Sequence, residues 1–98
     1  MNVEILPAAK RDLVDGYWFY EQQRPGLGDY FLLQLQSDIE SLQHYAGIHH
    51  RAYKHYHWLG SRKFPHAVLY HVAADTAYVD AVIDCRRSPD WIRRRLKQ

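Results

Sequence analysis

Ninety-eight residues, 47% of them hydrophobic, with a formal net charge of +2, describe one small globular domain, residues 1–98. The single cysteine, Cys85, excludes an internal disulfide framework, and no apolar run approaches the ~20 residues of a membrane span. No long apolar stretch follows a basic start, so no signal peptide is expected and the composition fits the cytoplasm.

The elements follow in chain order from periodicity and breakers. Asn2–Leu6 alternates and reads as a strand, with Val3 and Ile5 on one side. Pro7 suits a first helical turn, and Ala9, Leu13, Tyr17 and Tyr20 then recur at helical spacing to about Gln23. Arg24-Pro25-Gly26 breaks that helix. A second helix is expected from Leu27 to His44, striped by Gly28, Phe31, Leu35, Ile39 and Leu42, so the pair forms an antiparallel hairpin. Three strands are expected next, over Arg51–Trp58, Arg62–Val72 and Thr76–Cys85, with Ala74-Asp75 as a hairpin turn. In the last strand, alternation places Ala77, Val79, Ala81, Ile83 and Cys85 on one face. Ser88 and Pro89 start a closing helix over Pro89–Leu96. The expected fold is therefore α+β: a two-layer β-α-α-β-β-β-α sandwich, with an antiparallel sheet packed on an N-terminal helical hairpin and a short C-terminal helix.

Charge is unevenly distributed. From Arg86 onward six cations (Arg86, Arg87, Arg93, Arg94, Arg95, Lys97) face one acid, Asp90, whereas most acids lie before residue 41. A basic end of this kind suits an anionic partner, or serves as a solvated helix face.

Several blocks resemble one family. Asp12-Leu13 with Phe19-Tyr20, then Pro25-Gly26-Leu27-Gly28 with Phe31, is similar to the N-terminal half of ParE-like plasmid-stabilisation toxins. Phe64-Pro65-His66 leading to Tyr70 resembles their third strand, and Ala81-Val82-Ile83 followed by Arg86-Arg87-Ser88-Pro89 and Trp91 resembles their ending. The blocks occur in the family's order across nearly the whole chain. The resemblance implies the ParE/RelE superfamily: a growth-arresting toxin of a type II toxin–antitoxin pair, neutralised by an antitoxin whose C-terminal segment wraps it. Two targets occur on that fold, DNA gyrase for ParE-like members and ribosome-bound mRNA for RelE-like interferases, and a common fold does not choose between them.

Metal-free RNA cleavage needs a base, an acid and cations around the phosphorane. For that activity the candidates are Lys54, His66, Arg86 and Arg87, with Arg62 and Lys63 nearby. Interferases of this superfamily carry an arginine on the third strand where this chain has Ala67, so the resemblance favours gyrase inhibition, without hydrolytic chemistry of its own. The surface for that target is expected at Arg86, Arg87, Trp91, Arg93 and Arg94. Alternative roles are a packing residue for His66, an anchor of the last helix for Trp91, and a pair with Asp84 or Asp90 for Arg87. No cofactor is expected. Seven histidines are present, but no Cys or His pair has structural-zinc spacing, so no metal is expected either. A reading of another class is a non-toxic nucleic-acid-binding sheet that uses Tyr53, Tyr56 and Trp58 as stacking platforms.

Overall fold

The computed structural model describes residues 1–52 and 55–97. Its elements run β1 (Asn2–Ile5), α1 (Pro7–Gln23), α2 (Leu27–Glu40), α3 (Leu42–Tyr45), β2 (Arg51–Ala52), β3 (Tyr56–Gly60), β4 (His66–Ala73), β5 (Thr76–Asp84) and α4 (Pro89–Leu96). The strands form one sheet ordered β1-β5-β4-β3-β2. The expected α+β sandwich of helical hairpin on sheet is present, and β1 joins it parallel to β5, so the sheet is mixed.

The turn between the two long helices is built from a carboxylate and two glycines. Glu21 of α1 accepts the N–H groups of Gly26 and Gly28, at 3.1 and 2.9 Å, and so satisfies donors that a helix start leaves orphaned. Gly26 adopts φ +89°, which the absence of a Cβ permits. At Gly28 a Cβ would lie 2.7 Å from the Tyr17 carbonyl oxygen, so glycine sets the close approach of α2 to α1. Leu13, Tyr20, Phe31, Leu35, Ile39 and Leu42 then pack on Val68, Tyr70, Val79 and Val82 of the sheet.

The second helix ends earlier than its apolar stripe predicts. The chain turns at Ser41, whose hydroxyl bonds back to the Asp38 carbonyl, and a short α3 carries Leu42 into the core. The strand expected over Arg51–Trp58 is two strands instead, with Arg51 opposite His57 and Ala52 opposite Tyr56 in an antiparallel pair. Alternating aromatic and basic residues fit either arrangement, which is why the reversal left no mark on the pattern. The next strand starts only at His66, because Ser61–Pro65 turn the chain: the Ser61 N–H donates to the His66 carbonyl, and that of His66 to Phe64.

The expected one-face alternation of β5 is also corrected. Leu69 lies opposite Ala81 and Tyr70 opposite Val79, so Asp80 is an extra residue, a β-bulge. Ala77 and Val79 therefore face the helical hairpin, as does Val82, while Ala81 and Ile83 face the other side. There they meet Ala67, Leu69, Tyr56, Trp58 and the residues of α4, namely Ile92, Trp91 and Leu96. The bulge thus gives one strand two apolar faces, one for each layer of helix.

Candidate functional site

The local sequence after β5 fixes α4 against the sheet. Ser88 caps the helix, its Oγ accepting the Trp91 N–H at 3.1 Å, and Pro89 fills the first position. Ile92 is buried, and Trp91 packs partly buried on the same apolar cluster. Trp91 is thus an anchor of the helix.

Between α1 and α4 a cleft of about 550 Å³ opens along β5. Asp12, Asp15, Gly16 and Phe19 form its α1 wall, and Trp91 and Arg95 its α4 wall, with Arg87 beside them. Val82, Ile83, Asp84 and His66 line the sheet side. The cleft exists because β1 pairs only with Thr76–Val79, leaving the outer edge of β5 beyond Val79 without a strand among the described residues. At Val82 a side chain takes the place of the missing strand. Asp12 Oδ2 accepts the Val82 N–H at 2.9 Å and the Arg95 guanidinium at 2.6 Å. Burial raises the pKa of Asp12 above the ordinary carboxylate value, against the lowering effect of those two bonds.

The predicted site residues divide. Arg86 is engaged locally: its guanidinium grips both carboxylate oxygens of Asp84, at 2.9 and 2.7 Å. That contact holds the Asp84 pKa down to about 2. Arg93 pairs with Asp90 at 2.5 Å. Arg87 pairs with neither Asp84 nor Asp90 among the described residues; its guanidinium lies 4.7 Å from the Trp91 ring centroid, a cation–π contact. Arg94 is exposed on α4.

His66 is 8% exposed, packed edge-on to Phe31 and against Tyr20, and its Nδ1 is buried without a hydrogen-bond partner among the described residues. Burial lowers its pKa, with the Arg86 charge adding to the shift against the pull of Asp84, so the ring is neutral at neutral pH. It is a packing residue of the aromatic cluster that also reaches the cleft. Arg62 is held by the buried carboxylate of Asp38 at 3.2 Å, and Lys63 is exposed. Lys54 and Tyr53 lie outside the described residues. Tyr56 and Trp58 are half-buried against the α4 cluster, with the Tyr56 hydroxyl donating to the Leu96 carbonyl at 3.3 Å. Both pack on the apolar cluster that α4 covers. Ala67 is fully buried in that cluster.

Asp12, Asp15, Phe19 and Arg95 line the cleft although none of them is a candidate site residue from the sequence. Asp12 belonged to a recognised block, yet nothing local distinguishes it from a solvated helix acid. No described helix is long and apolar enough to cross a membrane.

No family model matches the sequence, and no curated protein shows significant similarity to it. Among solved structures, a chain described as "Chromosomal ParDE TA system from P. aeruginosa" superposes with a TM-score of 0.79 at 15% identity. The match covers 86% of this chain and 95% of that one. The chain therefore has the fold found in a ParDE toxin–antitoxin system.

Proposed function

We propose that this protein is the toxin of a type II toxin–antitoxin pair, of the ParE type, which arrests growth by inhibiting DNA gyrase and is silenced by a protein antitoxin. The observation that carries the reading is the shared fold with a ParDE chain over nearly its whole length. The sequence blocks that resemble ParE-like toxins add to it, and in this chain they form the Glu21-capped glycine turn, the β4 strand and the capped α4. Val14, Trp18, Tyr30 and Leu33 are exposed on the helical hairpin, which suits a chain that lives bound to a partner.

The target reading rests on what the described part of the sheet lacks. Interferase chemistry needs cations converging on one surface, whereas Ala67 sits in a closed apolar cluster, Arg86 is occupied by Asp84, and His66 belongs to the opposite side of β4. Arg87, Trp91 and Arg94 are left as the basic and aromatic surface for the target, with Arg86 and Arg93 supporting it through their aspartates. A supercoiling assay with purified gyrase tests this. Loss of supercoiling or accumulation of cleavage complexes supports the reading, and unchanged gyrase at saturating protein overturns it.

The second reading is ribosome-dependent mRNA cleavage, favoured by one observation, that His66 and Arg87 line the same cleft. It requires codon-linked cuts in transcripts after induction, abolished by Arg87→Ala.

A further inference from the structure

The outer edge of β5 has a hydrogen-bonding pattern that specifies what can fill it. In an antiparallel pair, alternate residues turn both backbone groups toward the partner strand. The His66 carbonyl accepts from Ser61, so His66 faces β3 and its opposite number, Asp84, faces the open edge. The Val82 N–H, which reaches Asp12, faces the same way. Four backbone groups therefore point into the cleft, and two are taken: the Val82 N–H by Asp12 and the Asp84 carbonyl by the Arg87 N–H at 3.1 Å. Among the described residues, the Val82 carbonyl and the Asp84 N–H remain.

An antiparallel neighbour exchanges bonds with both groups of one residue, and neither Val82 nor Asp84 has both to offer. A parallel neighbour instead donates to residue i−1 and accepts from residue i+1, and this is the remaining set around Ile83. β1 already runs parallel to β5 on the first half of the same edge. Charge adds a second constraint. Arg95 is neutralised by Asp12 and Asp84 is occupied by Arg86, whereas Arg87 stands over Trp91 with no carboxylate partner among the described residues. Asp15, at the α1 rim, disfavours further acids at that end. His66, whose Nδ1 is buried without a hydrogen-bond partner among the described residues, is one of the residues that line the cleft.

We infer that the cleft is a strand-addition site, taking an extended segment of a partner protein parallel to β5 with one carboxylate side chain on Arg87. The inference rests on the reading that a protein partner holds this chain, and its test needs neither growth arrest nor gyrase. The ¹⁵N-labelled full-length protein is titrated with Ac-Thr-Val-Glu-Val-Thr-NH₂, with versions carrying Gln or Lys for Glu, and with a version N-methylated at both valines. The acidic peptide should give saturable shifts of the Asp84 amide and the Arg87 Nε–H. Replacing Glu by Gln or Lys, or Arg87→Ala, should each weaken binding about tenfold or more, the worth of one charge-assisted hydrogen bond, and N-methylation should weaken it by removing the backbone N–H that the Val82 carbonyl accepts. Arg87→Lys keeps the charge and should lose less than Arg87→Ala, which separates charge from fold. Absence of saturable shifts, equal binding of the Lys peptide, or indifference to N-methylation overturns the proposal. Peptide binding without growth arrest on expression would refute the toxin reading alone; growth arrest without peptide binding would refute this site alone.

Discussion

Asp12 of α1 and Arg95 of α4, 83 residues apart, meet at 2.6 Å across the open edge of β5. The pair joins the two helices that flank the sheet, and the same carboxylate oxygen also satisfies the Val82 N–H.

Asp12→Ala should therefore cost about 1–3 kcal/mol, because it strands a backbone donor and a partly buried guanidinium together. Arg95→Ala should cost less, since the Val82 bond to Asp12 survives. Urea denaturation of both single variants and the double variant gives the coupling, expected at about 1 kcal/mol; additive effects would mean the contact contributes nothing.

Gly28→Ala should destabilise by about 1–3 kcal/mol, because the new methyl meets the Tyr17 carbonyl, a backbone atom with little freedom to retreat. Gly60→Ala is the control, since nothing lies within 4 Å of its Cβ position. Thermal melts of the two variants should separate clearly.

Ala74 holds φ +53° in the β4–β5 turn, a left-handed conformation that a Cβ disfavours. Ala74→Gly should raise stability by about 0.5 kcal/mol, the relief of that strain exceeding glycine's added freedom when unfolded. A lowered melting temperature would show that the turn does not bear this strain.

Stability should fall with pH in two separate windows. His66 has a folded pKa below 6.5, so the unfolded chain takes the proton first and stability declines as pH drops below 6.5. Asp84 has a folded pKa of about 2 against 3.8, so its contribution is complete above 3.8 and lost as pH falls through about 2. Asp12, raised by burial, works in the opposite sense in the acid range. His66→Phe should shrink the first window, to which His49, its pKa also lowered by burial, contributes as well, and Arg86→Ala should shrink the second, both read from melting temperature against pH.

Much of this protein is legible in its sequence, because the signals are local. Pro7, the Pro25-Gly26-Leu27-Gly28 turn and Ser88-Pro89 mark helix boundaries by backbone chemistry that needs no distant partner. The stripe through Phe31, Leu35 and Ile39 identifies the face that must be covered. The resemblance carried by these blocks pointed to the fold that the structure has.

Tertiary structure decided what no local pattern encodes. A bulge at Asp80 is invisible in an alternating run, since any extended segment satisfies the pattern until its partner strand fixes register; it alone turns Ala81 and Ile83 toward α4. The partition of the basic tail was equally hidden. Arg86, Arg87, Arg93 and Arg95 belong to one basic segment of the sequence, which only Asp90 interrupts with an acid. In space Asp84, Trp91, Asp90 and Asp12 give each a different neighbour. Side-chain pairing depends on distances below about 4 Å, which only the folded chain brings together. That is why the cleft, and Asp12 at its end, belong to the structure rather than to the sequence.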